Sequence, residues 1–544
     1  MIAINKTLLR AFAAGGLAGT ALAGLPGVAH GARPNIVVIQ TDDQSSRTAK
    51  ATFRGESGNT RLVMPNTVNK IFRGGTEFTN HYAATPICSP SRASMLTGQY
   101  PQNDKLFGNS GPRGGWEGWK NSPGYELNLP NSLRKSGYRT IHVGKFMNGY
   151  FDKVNDRVDT TVPPGWNNWF TTAYLPGTRY YGYPVSDNGV ALPPFGNPDY
   201  RSEGPGIDPK SCSAKRLTKR HSSKQCNYLT DVMAREAVEQ IRKSKGSPFY
   251  LQVDFQGPHG DISAPEGPQP ATRYLGTAER TPFPRPENFN EADTSDKPAI
   301  LRERAPRRMN KRRIKQVRNV YRRQLETLRG VDDGVGAILK TLRKTGQLRN
   351  TYVFFMSDHG YFLGEHRYDT GKFMPYDESA TVAMAVRGPG VPRGGKAREV
   401  TANIDIAPTA LRLAGVTPDY EVDGRSLQKF WNNPRKISRR PVAIALGLLR
   451  HLTPAAAPGA KVSAKAPVLN YLGYRVGPYK YVEYELGGAE LYDLKRDPFE
   501  MNNRIGSARY SKVRDYMESH LDEVVSCRAE ACRAELPPWP SPKP

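Results

Sequence analysis

Carboxylates and a histidine follow two short apolar runs of this chain of 544 residues. Asp42-Asp43 follows Asn35–Gln40, and Asp358-His359 follows a similar strand-like run. Adjacent carboxylates repel each other strongly if they are buried without a cation. Oxygen ligands are those that a hard divalent cation prefers. Because two strand ends share this character, the pairs indicate a cation site rather than two unrelated surface turns.

Residues suited to nucleophilic and acid–base chemistry occur in other turn-rich segments. Cys88 begins the motif Cys88-Ser-Pro-Ser-Arg92, in which Arg92 lies one turn later if a helix starts at the cysteine. Lys145, His259 and Lys372 are the other candidates. Imidazole titrates near neutral pH, so His259 is a candidate proton donor. A cysteine motif alone is only moderately specific, and its weight comes from these companions.

Four buried strands are predicted to position most of these residues. The runs are Asn35–Gln40, Tyr138–Val143, Pro248–Val253 and Thr351–Met356. They alternate with helical patterns at Leu229–Arg242 and Val317–Leu342, which favours an α/β fold with a parallel sheet. Ligand sites in such sheets lie outside the carboxyl ends of the strands. The loops that follow the four runs should therefore converge.

Taken together, the motifs resemble those of formylglycine-dependent sulfatases in the alkaline-phosphatase superfamily. The segment Gly144-Lys-Phe-Met-Asn-Gly-Tyr150 is similar in style to N-acetylglucosamine-6-sulfatases and heparan 6-O-endosulfatases. Asn403–Thr409, Asp423–Leu427 and Leu491–Glu500 also look like family segments, so the resemblance covers nearly the whole mature chain. It implies a catalytic domain over 32–430 with a large mixed, mainly parallel sheet flanked by helices.

The resemblance also implies a smaller C-terminal α+β subdomain, 431–544, built on an antiparallel sheet. Pro441–Leu446 and Tyr474–Tyr484 are predicted strands, and Ser511–Val525 is a predicted helix. The Gly-, Pro- and Tyr-rich stretch Val154–Arg220 is predicted to be a substrate-facing loop insertion.

In the family, the motif cysteine is oxidised to formylglycine, whose hydrate is the nucleophile. The resemblance therefore implies that a formylglycine-generating enzyme modifies Cys88. It gives catalytic roles to Arg92, Lys145, His259 and Lys372, with His259 donating a proton to the departing oxygen. Met147 stands where the commoner family motif has a histidine, and Asn148 is carried over as a substrate-binding residue.

The resemblance further implies a calcium ion. Its ligands are Asp42, Asp43, Asp358, the residue after it and the formylglycine oxygen at position 88. Many relatives have Asn where this chain has His359. Calcium does not prefer a nitrogen ligand, so His359 is a candidate for either the metal or the sulfate.

The N-terminal segment 1–31 reads as an export signal, with a basic start, an Ala/Gly/Leu-rich run and small residues before the cleavage region. The glycines in that run disfavour the alternative, a packed amphipathic helix. No later run is long enough to be a transmembrane segment, so we expect a secreted protein.

The cysteines fit an oxidising compartment. Setting Cys88 aside for chemistry leaves an even number, and local pairing gives Cys212–Cys226 and Cys527–Cys532. Four cysteines allow three connectivities in all. Zinc is the other use of such pairs, but no histidine lies at finger-like spacing.

The formal net charge is +27, and the excess concentrates between Arg302 and Arg323, where eleven basic residues accompany one acidic residue. This basic run is either a solvated helix face or a platform that attracts a polyanion. No zinc-finger spacing or RNP-like aromatic signature indicates a specific nucleic acid partner. A sulfated polysaccharide suits the rest of the chain better.

The sequence therefore predicts a secreted sulfatase that hydrolyses sulfate esters of a sugar or glycosaminoglycan. One alternative is a phosphonate monoester or phosphodiester hydrolase of the same superfamily, which fold and metal ligands would not separate. Another is a polyanion-binding protein without catalysis, for which the basic run would be the main feature.

Overall fold

The computed structural model describes residues 33–55, 58–151, 153–154, 157–172, 179–181, 183–195, 228–262, 264, 267–304, 307–447 and 470–543. The predicted export signal and the predicted pair Cys212–Cys226 lie outside the described residues. Within the described ranges, no helix is both long enough and apolar enough to cross a bilayer.

A ten-stranded sheet forms the centre of the protein. Its strands are β1 (Asn35–Thr41), β2 (Thr76–Tyr82), β3 (Arg139–Gly144), β4 (Asn168–Thr172), β5 (Tyr183–Asp187), β6 (Val190–Phe195), β7 (Phe249–Asp254), β8 (Thr351–Ser357), β9 (Met384–Arg387) and β10 (Gly395–Ala402). Their order is β6-β5-β4-β3-β7-β1-β8-β9-β2-β10. The five neighbouring strands β4-β3-β7-β1-β8 are parallel to one another, and β2 is parallel to β10. The remaining neighbouring pairs are antiparallel. The predicted mixed, mainly parallel sheet is confirmed.

The four predicted strands are the four adjacent strands β3, β7, β1 and β8 at the centre of this sheet. They could be recognised because both of their faces are buried, which gives nearly continuous apolar runs. In β1, for example, Val37 and Ile39 join one hydrophobic cluster, while Ile36 and Val38 join another on the opposite face.

Helices cover both faces of the sheet. The helix Leu229–Lys243 and the long helix, Lys311–Lys344, contribute to the cluster that contains Val37. The motif helix, Cys88–Thr97, contributes to the cluster on the other face. The long helix begins at Lys311, before its predicted start at Val317, so the basic residues that precede Val317 are helical as well.

The other α-helices are Pro65–Thr67, Pro101–Asp104, Gly115–Lys120, Leu129–Lys135, Ala299–Arg304, Asp377–Ala380, Ile406–Ala414, Gln428–Asn432, Ser511–Ser519 and Leu521–Ser526. Thr52–Arg54 pairs with Thr60–Leu62, and Lys153–Val154 pairs with Arg157–Val158, in two small hairpins.

The C-terminal region contains the predicted antiparallel sheet. Its strands, in spatial order, are β11 (Val442–Leu446), β12 (Tyr471–Val476), β13 (Tyr479–Tyr484) and β14 (Ala489–Asp493). This sheet shares a hydrophobic cluster with Tyr82 and Ile87 of the main sheet region. The predicted Cys527–Cys532 disulfide is present. The proposed boundary between residues 430 and 431 stays a prediction.

Two predicted elements of this region are corrected. Tyr474–Tyr484 is a hairpin rather than one strand, because Gly477 has a positive φ of 53° and the proline after it cannot donate a ladder hydrogen bond. The helical segment from Ser511 is two helices that meet at His520.

The prediction that Val154–Arg220 is a loop insertion is wrong for its described part. β4, β5 and β6 extend the main sheet to its edge. Tyr183 and Val185, which have high strand propensity, are buried there against the hydrophobic cluster of the long helix. Residues 196–220 of the stretch lie outside the described residues.

Candidate active site

The predicted site residues follow the carboxyl ends of neighbouring strands. Asp42 follows β1, Lys145 follows β3, His259 follows β7 and Asp358 follows β8. Cys88 is the first residue of the motif helix, which starts beside these loops. Side-chain contacts join all the predicted catalytic and metal residues in one cluster, so the loops that follow the four central strands converge as expected.

Cys88 lies at the centre of this cluster and is fully buried. Its Sγ is 3.0 Å from Lys372 Nζ, 3.5 Å from His359 Nε2 and 3.8 Å from Asp42 Oδ1. Burial by itself raises the pKa of the Cys88 thiol, but the ammonium groups of Lys145 and Lys372 outweigh it and lower this pKa. The site therefore favours a negatively charged group at position 88.

Two lysines neutralise the aspartates that follow β1. Lys372 Nζ donates to Asp43 Oδ1 at 2.5 Å, and Lys145 forms an ion pair with Asp42. Burial opposes ionisation of Asp42, yet Lys145 and other cations hold the pKa of Asp42 well below its usual value. Burial disfavours the charged form of Lys372 too, but Asp43 raises the pKa of Lys372. The pairs remain ionised in the interior.

Arg92 joins three buried carboxylates. Its Nη2 lies 3.0 Å from Asp358 Oδ2 and 3.2 Å from Asp42 Oδ2, and its Nη1 lies 3.7 Å from Asp254 Oδ2. Nη1 also donates to the carbonyl oxygen of Lys145 at 3.0 Å. The guanidinium therefore fixes the carboxylates and the lysine loop relative to the motif helix. The predicted contact of Arg92 with a modified Cys88 stays a prediction.

Asp254 was missed by the sequence reasoning. It ends β7, and its Oδ2 lies 3.0 Å from His142 Nε2 and accepts a hydrogen bond from Gln252 at 2.7 Å. A carboxylate at the end of a central strand was the available signal, because such a group is rarely buried without a partner.

The two site histidines have different surroundings. His359 is fully buried, and its Nε2 lies 3.4 Å from Asp43 Oδ1 and 3.5 Å from Asp358 Oδ1. Burial lowers the pKa of His359, but Asp358 outweighs it and raises this pKa to about 9. The side chain of His259 is 21% exposed, and its Nε2 lies 3.6 Å from Asp43 Oδ2. His259 therefore lies at the side of the cluster that solvent reaches.

Asn148 contacts the start of the motif helix. Its Oδ1 accepts from Ser89 Oγ at 2.9 Å, and its backbone N–H donates to the same oxygen at 2.9 Å. Asn109 Oδ1 accepts from the Ser89 backbone N–H at 2.9 Å. These contacts position the residue next to Cys88. The substrate contact predicted for Asn148 is untested.

Asn403 supports the motif helix through Ser91, and neither residue was predicted to belong to the site. Asn403 Nδ2 donates to the Ser91 carbonyl oxygen and to Ser91 Oγ, each at 2.9 Å. Ser91 Oγ in turn donates to the Asp358 carbonyl oxygen. Asn403 belongs to a family-like segment, but sequence alone does not show which helix it contacts.

The cluster has the donor set of a cation site. Ligand atoms of Asp42, Asp43, Cys88 and His359 all lie within 4.8 Å of one another. Asp358 is not in this group of four, and its Oδ1 accepts backbone hydrogen bonds from Asp43 and His359, at 3.3 and 2.9 Å. The two carboxylates of the group fit a hard divalent cation, whereas a thiol does not. An oxygen in place of the sulfur would complete the fit.

A large mixed, mainly parallel sheet with a charged site at its carboxyl ends and a C-terminal antiparallel sheet defines an alkaline-phosphatase-like α/β fold. A solved structure described as BT4656 in complex with its substrate D-glucosamine-2-N,6-O-disulfate has this fold. It superposes with a TM-score of 0.70 and 23% identity, over 92% of this chain and 98% of that chain.

The family model described as Sulfatase matches residues 34–416, more than half of the chain. The human N-acetylglucosamine-6-sulfatase is 29% identical over 94% of this chain and 88% of its own length. The extracellular sulfatase SULF-1 homolog of Drosophila melanogaster is 31% identical over 73% of this chain. The chain therefore belongs to the sulfatase family. It spans about half or less of the length of the extracellular relatives that it matches.

Removing the Arg92 guanidinium should destabilise the fold, because three buried carboxylates then lose a shared partner. We expect Arg92→Met to lower the free energy of unfolding by about 3–5 kcal/mol. Arg528 forms an exposed ion pair with Glu421, so Arg528→Met should cost less than about 1 kcal/mol. Urea unfolding of both variants measures the difference, and equal losses would show that the carboxylates do not depend on Arg92.

Proposed function

We propose that this protein is a secreted sulfatase that hydrolyses sulfate monoesters of a sulfated sugar or glycosaminoglycan. The observation that carries the proposal is the position of Cys88. Its Sγ lies 3.0 Å from Lys372 Nζ and belongs to the same buried cluster as Asp42 and Asp43. A nucleophile at this point would face a sulfate held between cations.

We propose that a formylglycine-generating enzyme oxidises Cys88 to formylglycine. When hydrated, this aldehyde would supply one hydroxyl to attack sulfur and a second whose collapse releases inorganic sulfate, which a serine or thiol could not do. The cation cluster supports the modification, because an oxygen at position 88 suits a hard cation better than sulfur does. The cations that lower the pKa of the Cys88 thiol would equally stabilise an alkoxide there.

Calcium is the cation that we propose for the cluster. Asp42, Asp43 and Asp358 would hold it, and it would neutralise sulfate oxygens when bound. The ammonium groups of Lys145 and Lys372, which pair with Asp42 and Asp43, would lie beside the same sulfate. His359 has a raised pKa, so as an imidazolium it would contact sulfate, and as neutral imidazole it would be able to bind the metal.

His259 is proposed as the acid that protonates the departing sugar oxygen. Its partly exposed ring lies at the side of the cluster from which a sugar would enter. Its Nδ1 lies 2.8 Å from the Gly260 carbonyl oxygen, which suits a donated hydrogen bond and leaves Nε2 facing Asp43 and the site. Lys372 would support the same leaving oxygen through its charge.

The sugar that we propose is a 6-sulfated hexosamine. The support is the Gly144–Tyr150 segment, together with relatives named N-acetylglucosamine-6-sulfatase. Phosphonate or phosphodiester hydrolysis remains the second candidate function, because the same carboxylates and cations would also serve a phosphoryl group.

Matched esters decide between these two activities. The three esters, para-nitrophenyl sulfate, para-nitrophenyl phenylphosphonate and bis-para-nitrophenyl phosphate, share one leaving group. We expect the largest kcat/KM for the sulfate. Sulfate release from N-acetylglucosamine-6-sulfate, measured against the 3-sulfate, tests the sugar. A larger kcat/KM for either phosphorus ester would assign the chain to the second candidate function.

Modification of Cys88 is directly measurable. Mass spectrometry of the peptide that contains residue 88 should show an aldehyde in place of the thiol when the maturing enzyme is coexpressed. Cys88→Ala should fold and yet lose activity by at least about a thousandfold, because the nucleophile is gone. Full activity in protein whose Cys88 is entirely thiol would exclude formylglycine as the nucleophile.

Removal of the cation should have the same effect as removal of its ligands. We expect Asp43→Asn to abolish calcium binding and to lower activity more than about 100-fold, since a ligand is lost. Asp515, whose side chain is 64% exposed, provides the control Asp515→Asn. Calcium content by atomic emission and activity before and after chelation are measured together. An active, calcium-free protein would rule out the proposed metal site.

A further inference from the structure

The basic run places several unpaired cations on an exposed surface at the start of the long helix. This basic surface consists of Arg307, Arg308, Lys311, Arg312 and Lys315, and all five are exposed. Among the described residues, none of the five has an acidic partner within ion-pair distance. The surface is therefore uncompensated positive charge.

This arrangement works against local stability. The first turn of the long helix contains no acidic residue, although the amino end of a helix carries partial positive charge. Lys311 and Lys315 are also like charges four residues apart. Among the described residues, the side chain that caps this end is Asn310, whose Oδ1 accepts from the Arg313 backbone N–H at 2.9 Å. An anion bound here would remove the repulsion.

The basic surface is attached to the loop from His359 to Lys372, which contributes to the candidate active site. Arg313 forms an ion pair with Asp369, which lies three residues before Lys372. An anion bound beside Arg313 would thus lie next to an ion pair whose acidic member, Asp369, is only three residues from Lys372 of the sulfate site.

Backbone contacts fix this attachment. Asn290 exchanges two hydrogen bonds with the Met309 backbone, at 2.7 and 3.1 Å. The Asn290 backbone N–H donates to the Gly364 carbonyl oxygen at 2.7 Å. Gly364 packs against Phe289 so closely that an added Cβ would lie 2.2 Å from its ring. The segment before the long helix and the loop from His359 to Lys372 therefore hold one another in place.

We propose that the basic surface binds a stretch of the sulfated polysaccharide whose sulfated sugar occupies the active site. The inference rests on the proposed function, which it deepens by making the substrate a polymer. Many cations acting on a chain of many anions attract it through a field that single charges cannot produce. Guanidinium groups also pair with tetrahedral oxyanions through two parallel hydrogen bonds.

Sulfated polysaccharide suits this surface better than nucleic acid does. Proteins that bind single-stranded nucleic acid combine cations with exposed aromatic rings on which bases stack. In the described part of the chain, the exposed large hydrophobic side chains are all aliphatic. The basic surface offers charge without a stacking platform.

The test compares two variants with equal loss of charge. The surface variant combines Arg307→Gln, Arg308→Gln, Lys311→Gln and Arg312→Gln, and it keeps Arg313 because of its pair with Asp369. The control variant combines Arg393→Gln, Lys396→Gln, Arg435→Gln and Lys436→Gln. These four residues are exposed. Arg393 and Lys396 lie at the amino end of β10, and the segment before Arg435 contacts the same strand through the hydrogen bond from the Arg398 backbone N–H to the Pro434 carbonyl oxygen.

Binding of each protein to heparin is measured at several salt concentrations, and hydrolysis of para-nitrophenyl sulfate is measured in parallel. For the surface variant, we expect the Kd for heparin to rise at least about tenfold and its salt dependence to weaken, with kcat/KM for the small ester unchanged. The control variant should keep nearly the full affinity for heparin.

Other outcomes overturn the inference. Equal weakening in both variants would show that net charge alone attracts heparin. Tighter binding of polyuridylate than of heparin at the same salt concentration would show that the partner is nucleic acid. Failure of the wild-type protein to hydrolyse any sulfate ester would remove the proposed function instead, while the binding comparison would still report on the surface.

Discussion

Charge balance among buried carboxylates is the constraint on which the site depends. Asp42, Asp254 and Asp358 end or follow three adjacent strands and are fully buried. Carboxylates so close together cannot all ionise in an apolar interior unless cations accompany them. The protein meets this need with Arg92 from the motif helix and with lysines from two other loops. The convergence of these elements is therefore an electrostatic requirement as well as a packing result.

The same requirement places Cys88. Arg92 lies one helical turn from Cys88, so fixing the guanidinium between Asp42 and Asp358 also fixes the start of the motif helix. Asn403 and Asn148 hold that helix from two further directions through neutral hydrogen bonds. Position 88 is thus held on several sides by Arg92, Asn403 and Asn148, which are themselves fixed by ion pairs or hydrogen bonds. A nucleophile so restrained loses little freedom when it reacts.

The central strands and their loops could be predicted because the signals are local. A strand buried on both faces contains a continuous apolar run, as at Ile36–Ile39, and its carboxyl end marks the site. Arg92 was recognised as a site residue, but its ion pairs with three carboxylates were not predicted, since those residues are far away in sequence. Asp254 was overlooked because a polar residue at the end of a strand does not alter the strand pattern. The strands Asn168–Thr172 and Tyr183–Asp187 of the main sheet were hidden by the turn-forming residues around them.

The burial of the motif helix has a consequence for biosynthesis. Every residue from Cys88 to Thr97 is buried, and no exposed edge presents the thiol to another protein. If Cys88 is oxidised as we propose, the modifying enzyme must act on the extended chain, before β1 and β8 enclose the motif. Folding and oxidation then compete in time, and a molecule that folds first keeps its thiol until it unfolds again. The active fraction would be decided by relative rates during synthesis, not by the stability of the finished protein.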